Sequence, residues 1–535
     1  MNVARWLIPI TLLSVSPAVA ALGDGSLFHS LWPALVAIAS IIATRNAITG
    51  LAVGVLAAGW LISGTPLTAL RETLTTHLFP AIQGPWRTGA LVFTLTLGAF
   101  AGVLEKSGGF ESLLKRVLGT NQSERRLLGG VFAMGLLCFF DGLASSLLTG
   151  RIARPLADRA GVSRQRLAWV VDSTGSPIAC VAFISTWIAT QLSLIQQGLE
   201  NAPFPVEPYA LFFQSIPANP YCLLALMLVP LAILIGWQPA AMRKFKPRPQ
   251  PHPDHKHPAN APTRVIIIPL AVLVTGILAS FPLLSDPIPN ILSAAGWRQA
   301  FSGNAGPYAL VAGSTAGLIA ALLWFPSHRR HEAGHAAVQG AGSLLPALLV
   351  LILAWTLGSQ FNAIGTIDHI SDLLADGIPA RWLPLAVFLT GSAMAFTTGS
   401  SWGTMGLLMP LALPAALAVS STLPPAESTT IVTMVIGAVF GGATLGDHCS
   451  PFSDTTIVSA LASGCETLDH VTSQLPFAAL AATGAGLAYA LMATGFSSIT
   501  ATLIAALALA ATVIRIARPC QHPAPPPTKA TGKSP

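Results

Sequence analysis

Two aspartates seven residues apart, Asp447 and Asp454, stand in an otherwise apolar stretch, with His448, Ser450, Ser453, Thr455 and Thr456 beside them. Carboxylates and hydroxyls are the oxygen ligands that a hard cation takes. Shutting a carboxylate away from water favours its protonated form, so such a pair can hold a cation or a proton in turn. A charge at the centre of a bilayer costs about 2.5–3.5 kcal/mol on insertion scales. Two without a role would be a heavy burden; the plainer alternative is that one of them caps a half-helix.

Similar chemistry occurs upstream. Asp172-Ser-Thr-Gly-Ser-Pro177 offers Asp172, Thr174 and Ser176, and like Asp447-His-Cys-Ser-Pro451 it closes on Ser-Pro. Proline removes a backbone donor, so both segments read as helix breaks that free carbonyls inside the membrane. Asp141-Gly142 and the hydroxyl-rich Thr398-Gly399-Ser400-Ser401 read as turns that face a solute, although capping and ordinary Gly/Ser turn chemistry compete for them. His331-Glu332-Ala333-Gly334-His335 matches the zinc-protease pattern HExxH. It falls in a short basic loop with Gly334 inside and Pro326 upstream, so no stable helix is expected to align its histidines. His252, His255 and His257 read as a solvated linker.

The elements that must position these groups are membrane helices. Of 535 residues 53% are hydrophobic and 9% charged, against roughly a quarter charged in soluble domains. The net charge of +7 comes from short basic blocks beside apolar runs, which is insertion topology rather than a nucleic-acid surface. Cys138, Cys180, Cys222 and Cys449 form no CxxC pair, so neither a disulfide framework nor a thiolate metal site is indicated. Residues 1–22 read as a signal peptide or an uncleaved first helix.

Lys and Arg collect on the cytoplasmic side. The basic clusters at 105–126 and 151–166 fall on one side only if 127–150 is a re-entrant hairpin, turning near Asp141-Gly142. With 382–420 as a second hairpin from the opposite face, every Lys and Arg but Arg71, Arg87, Arg298 and Arg381 lies inside. The expected fold is an all-α polytopic membrane protein, an inverted-repeat transporter with two re-entrant hairpins and two broken helices. The first repeat is 31–240, with its broken helix at 167–195. A Pro- and His-rich cytoplasmic linker follows at 241–264. The second repeat is 265–495, with its broken helix at 429–463. A last helix at 497–516 precedes a disordered cytoplasmic tail, 517–535. Thr96-Leu97-Gly98 recurs as Thr356-Leu357-Gly358, a spacing that sets Asp141 opposite Ser401. Inverted repeats with a site at the midplane are a transporter architecture.

Gly446-Asp-His-Cys-Ser-Pro-Phe-Ser-Asp-Thr-Thr456 resembles the signature of the NhaC-type sodium/proton antiporter family. The resemblance takes in Asp172-Ser-Thr…Pro177, the TGSSWGTMG run at 398–406 and His470…Gln474-Leu-Pro476, and covers about residues 30–500. It implies the wider ion-transporter superfamily: homodimers in which a transport domain moves elevator-fashion against a scaffold in the bacterial inner membrane. The implied activity is exchange of sodium, or another monovalent cation, for protons, with no cofactor and no metal beyond the transported ion. The alternative is a sodium- or proton-coupled carrier of a small organic acid, amino acid or drug, its carboxylate held at the hairpin tips.

Overall fold

The computed structural model describes residues 4–21, 26–118, 123–200, 202–204, 206–247, 261–302, 305–366, 369 and 379–517. Most of the Pro/His-rich linker with its three histidines, the tail beyond 517, and the acidic residues Asp368, Asp372 and Asp376 lie outside them.

Among the described residues the regular structure is helical. In chain order it comprises α1 (Ala4–Ala20), α2 (Leu27–Thr44), α3 (Ala47–Ser63), α4 (Pro66–Glu72), α5 (Phe79–Ala81), α6 (Pro85–Ser107) and α7 (Gly109–Leu118). Then come α8 (Glu124–Leu137), α9 (Gly142–Arg159), α10 (Arg164–Val181), α11 (Thr186–Gly198), α12 (Pro208–Ser215), α13 (Pro220–Ile235) and α14 (Ala240–Arg243). The second half holds α15 (Arg264–Leu283), α16 (Ala294–Ser302), α17 (Gly306–Trp324), α18 (Arg330–Ser343), α19 (Leu345–Ile364), α20 (Leu383–Thr398) and α21 (Ser401–Val419). It closes with α22 (Pro425–Cys449), α23 (Asp454–Ser463), α24 (Thr467–Ala493) and α25 (Ser498–Ile516). By length and composition, 8 described helices can cross a membrane, or 11 if each of three bent pairs counts as one span. The chain is thus an all-α, multi-pass membrane protein.

Both hairpins form. The first is α8–α9 with its turn at 138–141, and the second is α20–α21 with its turn at Gly399–Ser400. Gly399 has φ +66°, a left-handed conformation that glycine adopts without steric cost. α9 runs on to Arg159, so Arg151, Arg154 and Arg159 extend a helix rather than lie in a loop. Each hairpin packs on the broken helix of its own half, α9 on α10 and α21 on α22. Each also packs on the second half-helix of the other half. Gly150 of α9 is so close to α23 that a Cβ there would stand 2.6 Å from the Cβ of Ala462. Gly198 of α11 meets Met409 and Leu413 of α21 in the same way. Such a reciprocal exchange is what a two-fold relation between halves produces. At the centre runs α22, with 83% of its apolar window buried, while α25 at 28% is peripheral.

Two expectations need correction, and two elements are additional. The first break lies at 182–185, past Asp172–Pro177, which stays inside α10. Pro177 costs α10 only the bond to Ser173 O, a loss that membrane helices tolerate. The chain turns where Ser185 both caps α11, accepting from Ile188 N at 3.1 Å, and donates to Ala179 O at 2.7 Å. The HExxH residues lie on α18 and not in a loop; both histidines are exposed, and Glu332 is held by Arg329 at 2.6 Å. Residues 66–81, not read as an element, form a helical arm bent by 110° from α3. Residues 208–215, also not read as an element, form α12, bent by 51° from α13.

Candidate ion-binding site at the helix breaks

The second break follows from local chemistry. Ser450 precedes Pro451, and a residue before proline is pushed out of the helical region; Ser450 accordingly has φ −86° and ψ 126°, and α22 ends at Cys449. Three residues on, Ser453 is extended and caps α23 through Thr456 N. The break therefore spans 450–453 and begins at the Ser450-Pro451 step.

Its carboxylates lie on either side. Asp447, in the last turn of α22, is fully buried. Its Oδ1 accepts from the Ser453 hydroxyl at 2.6 Å and its Oδ2 from the Thr455 hydroxyl at 3.1 Å. Asp454 opens α23, where an acidic side chain suits the positive end of the helix dipole; its Oδ1 accepts from Thr455 N at 2.9 Å. The Asp454 side chain is exposed, in contrast to that of Asp447. Asp447 lies within Coulombic reach of Asp454 and Asp172, and Asp454 within reach of Asp172 and Asp141.

Asp172 differs in kind. It is fully buried and its two oxygens accept four hydrogen bonds: Ser459 Oγ at 3.1 Å, Thr456 Oγ1 at 3.3 Å, His470 Nε2 at 3.1 Å and Gln474 Nε2 at 2.8 Å. All four donors come from α23 and α24. Thr456 also reaches Asp447 O at 2.9 Å, and Gln474 reaches His448 O at 2.9 Å. His448 shares a 2.8 Å hydrogen bond with the Tyr221 hydroxyl of α13. One network thus joins α10, α13, α22, α23 and α24.

The remaining expected residues are dispersed. Asp141 caps α9, its Oδ1 accepting from Ala144 N at 2.6 Å. Gly142 is the first residue of α9 and lies against the backbone of Gly175 with room for a Cβ. The Thr174 hydroxyl bonds back to Val170 O at 2.6 Å and its methyl packs on Gly135. Ser176 and Ser401 are buried with no hydrogen-bond partner among the described residues. The Ser450 hydroxyl accepts from Phe452 N, Ser400 caps α21, and Thr398 accepts from Ser400 N. Each hairpin tip docks on a break: Thr186 N donates to Phe140 O at 2.8 Å, and Gly399 sits on the Phe452 backbone.

Tyr221, Ser459, His470 and Gln474 were not among the site residues read from sequence. His470 and Gln474, one helical turn apart on the same face, were the one local sign available.

Residues 178–496 match the family model described as "Na+/H+ antiporter family". An uncharacterized protein of Haemophilus influenzae is 28% identical over 496 residues, 90% of this chain and 93% of its own. A malate-2H(+)/Na(+)-lactate antiporter of Bacillus subtilis is 29% identical over 141 residues, 26% of this chain and 28% of that protein. Among solved structures, the YdaH transporter of Alcanivorax borkumensis, described as having an unusual topology, shares the fold. Its TM-score is 0.54 at 15% identity, covering 84% of this chain and 98% of that one.

Proposed function

The chain belongs to the Na+/H+ antiporter family, and on that premise we propose that it exchanges sodium, or another monovalent cation, for protons across the bacterial inner membrane. It is an antiporter and not an enzyme. The observation that carries the reading is the second break. There Asp447, with Ser453 and Thr455 already turned onto its carboxylate, lies near a second carboxylate, Asp454, whose side chain is exposed.

Asp454, the exposed member of the pair, takes the incoming cation. Asp447, Ser453 and Thr455 supply the inner oxygens as the ion sheds its water; the two hydroxyls need only rotate to present lone pairs instead of protons. A proton on the same carboxylates removes the charge that holds the cation, so occupancy is exclusive. Exclusive occupancy together with alternating access is sufficient for obligatory exchange. Asp172 stands outside the ion's shell in this reading, because its oxygens are already committed to four donors. It fixes α23 and α24 against α10. The hairpins and broken helices then move together as the elevator part, within a homodimer whose scaffold the remaining helices form.

The test is Asp447→Asn and Asp454→Asn in everted vesicles with a pH-sensitive dye. Both variants are expected to reach the membrane and to reduce sodium-evoked proton movement to background. Undiminished exchange in both would remove these carboxylates from the site.

A further inference from the structure

Among the described residues, helices that end in a left-handed residue end, with one exception, in glycine: Gly64, Gly108, Gly236, Gly365, Gly399 and Gly464. The exception is Arg45, the C-cap of α2, with φ 55° and ψ 39°; it is the one non-glycine residue with positive φ among those described. A Cβ is disfavoured there, so glycine would serve the backbone better. A strained residue kept in place points to a use for its side chain.

That side chain reaches the second break. The Arg45 guanidinium lies over the Phe452 ring, 3.6 Å from its centroid, within cation–π range. Phe452 stands in the break, between the Ser450 turn and the Ser453 cap, two residues before Asp454. On its other side its backbone is covered by Gly399 of the second hairpin tip. Arg45 itself is exposed, so burial does not force it onto the ring. It comes from a different part of the molecule: α2 and α3 pack chiefly on each other, on α1 and on α19. Next to it, Ala47 abuts Gly403 of α21.

We propose that Arg45 is a positioning residue that clamps Phe452 from the α2–α3 turn, fixing the second break and with it the carboxylate pair. The clamp ties the peripheral α2–α3 pair to the site, and it must open whenever the break moves relative to that pair. The inference rests on the exchange reading only in taking this break for the transport site.

Arg45→Gly relieves the backbone while deleting the clamp, so the structural and the positioning roles predict opposite results. Arg45→Gly is expected to melt at the same temperature as the parent or higher, yet to raise the sodium KM about fivefold, the factor equivalent to a modest cation–π contact, with a smaller change in maximal rate. Arg45→Lys should lie between the two. Phe452→Leu should reproduce the glycine variant, and the double variant should be no worse than either single, as for two residues acting through one contact. A second readout needs no transport. N-ethylmaleimide labelling of Cys449, half-buried at the end of α22, followed by mass spectrometry, should accelerate in Arg45→Gly and Phe452→Leu while Cys465 is unchanged. A glycine variant matching the parent in KM and labelling overturns the proposal, as does full multiplication of the two single effects. If exchange survives in Asp447→Asn and Asp454→Asn, the exchange reading falls, and Cys449 labelling still decides whether Arg45 holds the break.

Discussion

The two helix breaks are built alike and charged differently. In the first, Ser185 caps α11 and its hydroxyl returns to residue 179; in the second, Ser453 caps α23 and its hydroxyl returns to residue 447. Both steps span six residues, and a hairpin tip rests on each break. At the first break, position 179 is alanine and offers only its backbone carbonyl, and the residue after the cap is Thr186. At the second, the corresponding positions are Asp447 and Asp454. Repetition supplied the geometry twice, and carboxylates were placed in one copy only. The first half contributes Asp172 instead, seven residues before Ala179, and it is bonded entirely by α23 and α24 of the second half. The lesson is a division of labour: the second break carries chargeable groups with spare capacity, while the first half's carboxylate is saturated and holds the halves together.

The sharpest way to break this contrast is Asp172→Ala. It strands four buried donors, and removing one partner of a buried charged network costs about 3–5 kcal/mol. The variant should be recovered poorly, with a melting temperature well below that of Asp447→Asn, followed by fluorescence-detected size exclusion after heating. Equal stability for the two variants would erase the distinction between a structural and a working carboxylate.

The hairpin tips give the next test. A Cβ on Gly399 would fall 2.7 Å from the Phe452 carbonyl carbon, in a backbone conformation that side chains avoid, whereas on Gly142 the nearest atom is 3.4 Å away. Gly399→Ala should therefore cost about 1–3 kcal/mol from strain at positive φ alone, and exchange should fall with it. Gly142→Ala should leave both melting temperature and exchange close to the parent. Similar losses in both would mean that the tips are not docked differently.

Much of this was legible in the sequence, for physical reasons that also mark where reading stopped. The carboxylates stood out because an apolar solvent makes any charge conspicuous, and the hairpins because arginines cannot readily be placed on both sides. Ser-Pro located a break at Pro451 but not at Pro177: proline only removes one bond, and whether the helix then ends depends on a capping residue such as Ser453 or Ser185. The arm at 66–81 was missed because its Thr-, His- and Arg-containing face breaks up the apolar run. Its opening Thr65-Pro66, like Glu207-Pro208 before α12, was a helix-start signal of the N1 type. The bonds from His470 and Gln474 to Asp172 join residues 298 and 302 positions apart. No local pattern encodes such a pairing; only the packing of α10 against α24 brings it about.

The smallest predicted effect concerns Asp141, the carboxylate at the tip of the first hairpin. Its visible work is to cap α9 through Ala144 N, while it lies close enough to Asp454 to add to the repulsion there. The two roles separate by substitution. Asparagine caps a helix about as well as aspartate, while alanine loses about 1 kcal/mol. If Asp141 is chiefly a cap, Asp141→Asn should match the parent in melting temperature and sodium exchange, and Asp141→Ala should lower stability modestly without changing the sodium KM. If Asp141 also shares the cation's charge, Asp141→Asn should keep its stability but shift the sodium KM. That outcome would extend the working site from the second break to the first hairpin and blur the asymmetry between the halves. With its hydrogen bond already supplied at 2.6 Å by the backbone, the first result is the one expected.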